Sequence, residues 1–228
     1  MTETAGNEAK VFGDFNNAAI YRNPINNIHL APWSLRVLVM RLQALGPGGD
    51  LRRTIMGYYE LAREARDSSR DKSAQEKELL QRRLRELGLL VADAMVEMGD
   101  LEGAGRHMPS LQAQPGNDQP DTSLAIREAL VWLRVGDINR AKGCWVIAGG
   151  SDKENMGKGA SMLQALIATA DGNIGESIAA WDALKSKYPD DEVIAINAAV
   201  LTVYDGNVSS VCHEDLRIGV TLVFESRY

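Results

Sequence analysis

The stretch RVGDINRA, Arg134 to Ala141, decides the fold, because a similar pattern occurs at three other places in the chain. In each copy a glycine is followed by Asp or Asn, and an aliphatic residue comes two positions after the glycine. The other copies are EMGDLEGA (Glu97 to Ala104), ADGNIGES (Ala170 to Ser177) and YDGNVSSV (Tyr204 to Val211). A left-handed glycine commonly ends a helix, and Asp or Asn commonly caps the next one. The pattern therefore predicts a short joint between two helices.

The joint recurs at the period of a helical repeat. Its glycines, Gly99, Gly136, Gly172 and Gly206, are 37, 36 and 34 residues apart. The tetratricopeptide repeat (TPR) has a period of 34 residues and pairs antiparallel helices. Two further marks keep the same register, an alanine seven positions before each glycine and a small residue five positions after the first three. The alanines are Ala92, Ala129, Ala165 and Ala199, and the small residues are Ala104, Ala141 and Ser177. Small side chains are needed where paired helices cross closely.

These marks predict an all-α, TPR-like solenoid of four to five antiparallel helix pairs. Gly49, with Leu51 and Tyr58 at the expected offsets, indicates an additional early pair. We expect the repeat domain to cover residues 31–211. Residues 1–30 are Asn-rich and lack a helical period, which favours an extended or disordered arm, and residues 212–228 form an off-pattern tail.

Composition excludes several classes of function. The 228 residues carry a formal net charge of −6, which disfavours nucleic-acid binding, because phosphate contacts need clustered Lys and Arg. The sequence contains no run of 18 apolar residues, so it predicts no membrane-spanning helix. The N-terminus has no signal-peptide pattern, and two cysteines without paired spacing indicate a reducing compartment. We therefore expect a cytoplasmic protein.

The sequence predicts no catalytic, cofactor-binding or metal site. GGSDKENMGKGAS, Gly149 to Ser161, resembles a phosphate loop, but Asp152 and Gly159 stand where that motif needs Gly and Ser or Thr. The three histidines are scattered without a Cys or carboxylate at ligand spacing. The chain is therefore interpreted as a non-enzyme.

The repeat register assigns a concave groove to the first helix of each pair. Its predicted lining, the candidate partner contacts, consists of Ile126, Leu130, Leu133, Met162, Leu166, Ile196, Asn197 and Val200. All but Asn197 are apolar, and an exposed apolar patch of this size is a liability unless something covers it. The cover is either a partner's helix or extended segment, or the chain's own residues 1–30. The alternative is a register error by one residue, which would make these positions plain inter-helix core.

The order of several segments resembles one family. Together these segments resemble the C-terminal repeat region of subunit 12 of the TRAPP (transport protein particle) vesicle-tethering complex, in a fungal form: LAPWSLRVLVMRLQAL, YYELAREA, VEMGDLEGA, LVWLRVGDINRA and PDDEVIAINAAVLTVYDGNV. The resemblance covers roughly residues 30–211. The family's long N-terminal region and its later helices have no counterpart here, and the end of this chain, RIGVTLVFESRY, is β-rich.

The resemblance implies a non-catalytic subunit of an assembly that acts in ER-to-Golgi traffic and autophagy, with subunits 8 and 11 as neighbours. It also implies a cytoplasmic protein that is peripheral at ER–Golgi membranes through the complex. Two alternatives remain, a TPR adaptor or co-chaperone-type peptide-binding module and, from another class, a helical-solenoid enzyme. Uncapped repeat ends expose apolar surface, so self-association through the solenoid ends is a further possible contact.

Overall fold

The structure is a computed structural model in which the chain separates into two compact units, Met1–Leu111 and Gln112–Tyr228. The residues it describes are 2–13, 15–16, 18–25, 28–45, 49–67, 73–112, 120–152 and 156–206. The division comes just before a stretch rich in Pro, Gly and polar residues, QPGNDQPD, within the region predicted as a single repeat domain. The described secondary structure is helical apart from one isolated antiparallel bridge between Arg22 and His29.

The residues described in the first unit form five helices and the start of a sixth, which extends one residue past the division. They are α1 (Thr2–Lys10), α2 (Trp33–Leu45), α3 (Leu51–Asp67), α4 (Ala74–Glu97), α5 (Leu101–His107) and α6 (Pro109–Gln112), with a short 3-10 turn at Ala19–Tyr21. Helix α1 packs on α2, α3 packs on both α2 and α4, and α4 packs on α5. Ser73 caps α4 through a reciprocal capping box with Glu76.

The described residues of the second unit form five helices. They are α7 (Thr122–Val135), α8 (Ile138–Trp145), α9 (Lys158–Ala170), α10 (Ile174–Lys187) and α11 (Glu192–Tyr204). A π-helical turn, Val146–Gly150, follows α8, and Gly149 within it has a positive φ of 90°. The left-handed Gly149 ends this helical run, as glycine in that conformation commonly does at helix ends.

Three apolar cores repeat one arrangement, a helix pair closed by the helix that follows it. The core containing Leu61 joins α2, α3 and α4, and the core containing Trp132 joins α7, α8 and α9. The core containing Trp181 joins α9, α10 and α11. This arrangement is typical of stacked helical repeats, and it confirms the predicted all-α, TPR-like fold of antiparallel helix pairs.

The four predicted joint glycines adopt the left-handed conformation. The φ values of Gly99, Gly136, Gly172 and Gly206 are 82°, 89°, 81° and 82°. After Gly136, the Asp137 N–H donates to the carbonyl oxygen of Trp132 at 2.9 Å, which is the long bond of a Schellman ending. The Asp137 carboxylate then accepts from the Arg140 N–H at 3.0 Å and caps α8.

The small residues of the repeat lie where the register places them. Ala104, Ala141 and Ser177 are fully buried, and so are Ala92, Ala129 and Ala165. The Ser177 hydroxyl avoids an unpaired buried donor by bonding to the Ala165 carbonyl oxygen at 2.8 Å. Ala199 is only half-buried. The positions predicted to need small side chains for close helix crossing are therefore the ones at which small side chains are buried.

Some capping and turn predictions differ from the structure. Asn173 occupies an N-cap position, but its side chain makes no capping hydrogen bond. Gly49 has no left-handed φ, and a side chain there would instead collide with the Ala44 carbonyl group. Asn207, Val211 and the tail at residues 212–228 lie outside the described residues.

The N-terminal segment differs from the predicted extended or disordered arm. Residues Thr2–Lys10 form α1, which packs along α2. The Gln43 side-chain amide donates to the carbonyl oxygens of Ala9 and Gly13, both at 3.0 Å. These bonds join residues 30 or more positions apart, so they leave no local periodic pattern in the sequence.

The joint is testable at Gly136, with Gly143 as a matched control. We expect Gly136→Ala to lower the free energy of unfolding by about 1–2 kcal/mol, because a left-handed conformation brings a Cβ too close to the backbone. Gly143 lies inside α8, has no left-handed φ and has open space around it. Gly143→Ala should therefore raise stability by about 0.5–1 kcal/mol. Urea denaturation followed by circular dichroism measures both, and equal effects at the two sites would contradict the joint.

Candidate functional site

The predicted groove residues lie on the first helices of the second unit. Ile126, Leu130 and Leu133 follow one face of α7 at i, i+4 and i+7. The same spacing places Met162 and Leu166 on α9, and Ile196 and Val200 on α11, with Asn197 beside them. All eight are half-buried, neither sealed in the interior nor fully open.

Four of the eight predicted groove side chains contribute to the repeat cores. Ile126 and Leu133 pack against the core that joins α7, α8 and α9, and Met162 and Leu166 pack against the core that joins α9, α10 and α11. Because these residues are only half-buried, part of each apolar side chain is exposed. These positions therefore have features of both predicted interpretations, inter-helix core and partner contact.

The three first helices are positioned by specific contacts at their N-terminal ends. A Cβ on Gly159 of α9 would lie 2.6 Å from the Cδ1 atom of Ile126 on α7, so glycine permits a close approach there. The Trp145 indole N–H donates to the Ala160 carbonyl oxygen at 3.0 Å and fixes the same turn of α9.

An ion pair connects α9 to α11. The Lys158 ammonium group bonds to the carboxylate of Asp191, which also caps α11 by accepting from the Ile194 N–H at 3.1 Å. The hydrogen bond from Lys158 is the main reason that the pKa of Asp191 lies below its usual value, and the backbone N–H donors add to it. The carboxylate therefore stays ionised at neutral pH.

The polar position of the groove is already occupied by its own helix. The Asn197 side-chain amide donates to the Val193 carbonyl oxygen one turn earlier, at 2.7 Å. No charged residue is present among the eight groove positions. The groove surface can therefore offer dispersion and burial to a ligand, and it offers little for recognition of charge.

A polar cluster in the first unit escapes prediction from sequence. Arg36 is buried in α2, and its guanidinium donates to both carboxylate oxygens of Glu64 on α3, at 2.8 and 2.7 Å. Its Nε atom donates to the Asn16 side-chain oxygen at 3.0 Å. Arg22 also reaches Glu64, at 3.2 Å, and donates to the Asn16 carbonyl oxygen. The hydrogen bond from Arg36 lowers the pKa of Glu64.

Aromatic packing supports this cluster from the N-terminal side. The Ala31 N–H donates to Nδ1 of the buried His29 at 3.0 Å, so the ring proton lies on Nε2 and donates to the Phe15 carbonyl oxygen at 2.9 Å. The rings of Phe15 and Tyr21 meet edge to face, with centroids 4.6 Å apart. In the sequence, this arrangement is indicated only by polar residues such as Asn16 and His29 that lie among apolar and aromatic ones.

A cavity of about 980 Å³ lies beside the cluster within the first unit. Its charged lining is mixed in sign and consists of Arg22, Arg36, Arg63, Arg83, Glu60, Glu64, Asp67 and Glu76. Its buried cation is already paired, since Arg36 is held by Glu64 and Asn16. This chemistry fits a structural role in joining the N-terminal segment to α2 and α3.

The environments of Cys144 and His107 do not favour catalysis. Burial, reinforced by the neighbouring Glu128, raises the pKa of the Cys144 thiol to about 12, so the thiolate nucleophile is not formed near neutral pH. The His107 ring bonds to the Gly88 carbonyl group at 3.1 Å. Within the described segments, no group of three or more His, Cys, Asp or Glu residues could hold a metal ion. His213 lies outside those segments.

No described helix combines the length and apolar character needed to cross a membrane.

Comparison with solved structures supports the repeat fold. The crystal structure of a tetratricopeptide repeat protein from Parabacteroides merdae is similar to this chain with a TM-score of 0.60 and 17% sequence identity, covering 95% of this chain and 71% of that protein. MamA 41-end from Desulfovibrio magneticus RS-1 gives a TM-score of 0.46 at 14% identity, over 76% of this chain and 99% of that protein. No protein-family model matches the sequence, and neither does any curated protein sequence.

The Arg36 cluster predicts a pH dependence of stability. Because the folded state holds the pKa of Glu64 below the ordinary value of 4.5, the unfolded chain takes up its proton first as the pH falls. The stabilisation is therefore complete above the ordinary value and is lost as the pH falls through the lowered one. Hydrogen exchange of the α2 and α3 amides between pH 7 and pH 3 measures this loss.

Glu64→Gln should lower the free energy of unfolding at neutral pH. The difference in this free energy between the variant and the wild type should become smaller in acid. Glu78→Gln is the matched control, because Glu78 forms an exposed pair with Arg82 on α4, and exposed pairs contribute little. A constant difference between wild type and Glu64→Gln across the whole pH range would contradict the linkage.

Proposed function

We propose that the protein is a non-catalytic scaffold for protein–protein contact, which binds an apolar segment of a partner along α7, α9 and α11. The observation that carries this proposal is the half-burial of all eight groove positions, seven of which are apolar. Contiguous, partly exposed apolar surface on a repeat fold is a common feature of binding faces.

The chemistry of the groove defines the kind of segment it would accept. Aliphatic side chains favour a partner helix or extended strand with its own aliphatic residues. A charged peptide tail would need Lys or Arg at these positions, whereas Asn197 is the one polar residue and bonds to its own helix. The N-terminal segment packs on α2 through α1 and bonds to α3 through Arg22 and Glu64, so we assign the groove to a partner protein.

A non-enzymatic role is consistent with the state of Cys144. A thiol whose pKa is raised to about 12 by burial is a poor nucleophile at neutral pH. The residue contributes instead to the apolar core that joins α7, α8 and α9.

Within this role, the sequence resemblance favours a subunit of the TRAPP vesicle-tethering complex. The partners would then be other subunits, such as subunits 8 and 11, and the protein would be cytoplasmic and peripheral at ER–Golgi membranes through that complex. A TPR adaptor or co-chaperone-type peptide-binding module fits the same fold equally well. Its partner would be a chaperone or a receptor segment, which makes partner identity the discriminating observation.

Affinity purification with groove variants tests this function. Wild-type tagged protein should recover tethering subunits, and Leu130→Gln combined with Leu166→Gln should reduce that recovery about ten-fold or more, because buried apolar contacts dominate such interfaces. Val146→Gln is the matched control, since Val146 is an exposed apolar residue outside the predicted groove. Thermal unfolding should show that all variants remain folded.

Two results would count against the proposal in different ways. Equal recovery by the groove variant and the control would place the binding surface elsewhere. Recovery of chaperones without tethering subunits, sensitive to the groove variant, would retain the scaffold role and replace the tethering assignment by the adaptor.

A further inference from the structure

Helix α2 is apolar on more sides than its neighbours cover. Nine of its 13 residues, WSLRVLVMRLQAL, are apolar. Val37, Val39 and Met40 are buried on the inner side, together with the paired Arg36. A helix that is apolar all round is normally buried all round. The outer side of α2 therefore has the composition of an interface.

The outer side carries four leucines at a regular spacing. Leu35, Leu38, Leu42 and Leu45 follow one another at intervals of three, four and three residues. Leu35, Leu38 and Leu45 are 42%, 50% and 44% exposed, and Leu42 is half-buried. We call this set the leucine seam. Intervals of three and four are the a and d positions of a heptad, which pack against a single facing helix.

The charge beside the seam limits what the facing helix can be. Arg41 is exposed at the edge of the seam, and it is the only charged residue on the exposed side of α2. The helix contains no Asp or Glu. A second copy of α2 would therefore bring no carboxylate to Arg41, whereas a facing helix with an acidic flank would complement it, as at the e and g positions of coiled coils.

We propose that the leucine seam of α2 is a second docking surface, which binds an amphipathic helix of a partner protein. That helix carries aliphatic residues at heptad a and d positions and a carboxylate that faces Arg41. The surface lies in the first unit and is separate from the groove residues of the second unit, so this inference does not depend on the proposed function.

Two designed peptides test the seam directly. Each has three heptads with Leu at a and d, and one carries Glu and the other Lys at both flanking positions, so like charges keep each peptide from pairing with itself. Fluorescence anisotropy with the full chain at low salt should show tighter binding of the Glu peptide, by about two- to five-fold. Arg41→Glu should reverse this preference.

Variants of the seam provide the control for specificity. Leu35→Gln combined with Leu38→Gln, which keeps good helix propensity at exposed positions, should abolish binding of the Glu peptide. Met56→Gln should leave binding unchanged, because Met56 is an exposed apolar residue on α3 outside the seam.

Three results would overturn the proposal. The first is the absence of measurable binding of the Glu peptide to the wild type, and the second is equal binding of the two peptides. The third is a concentration-dependent dimer in sedimentation equilibrium that the double Leu variant removes, because this would identify a second copy as the occupant.

Discussion

The closeness with which paired helices cross controls most of the structure. At the crossing of α7 and α8 the side chain of Ala141 is fully buried, and Ser177 is equally enclosed on α10. A crossing this close leaves room for one methyl or hydroxymethyl group, so the larger side chains must fill the space beside it. Trp181 is such a side chain, placed four residues after Ser177 and almost completely buried. Each pair then presents a flat apolar face to the next helix, which closes the core.

The elements predictable from sequence are those determined by local chemistry. Gly136 needs only its own backbone conformation and the carbonyl groups of the preceding turn, and these are within six residues of it. The repeat then copies this local solution at Gly99 and Gly172, which makes the register visible in a single sequence. At Asn173 residue type alone does not determine the contact, because an amide at the N-cap position is suitable for capping and still makes no such bond. Composition identifies the candidate, and the rotamer decides the contact.

The N-terminal segment could not be predicted in the same way, because distant residues stabilise it. Arg36 bonds to Asn16, 20 positions earlier, and to Glu64, 28 positions later. No periodicity links these positions. The predicted groove positions are intermediate between the two cases. Helical spacing puts Leu130 and Leu166 on α7 and α9, while their exposure depends on how far the neighbouring side chains cover them.

The buried arginine makes the N-terminal segment an integral part of the first unit. Removing a guanidinium from water is costly unless its donors are satisfied. The Glu64 carboxylate satisfies two of them with fork geometry, and the Asn16 oxygen accepts from the Nε side. Loss of the segment that carries Asn16 would leave part of this charge desolvated without a partner, so α2 and α3 favour the packed segment. The same pairing leaves Arg36 facing inward, and the opposite face of α2 presents the leucine seam with Arg41 at its edge.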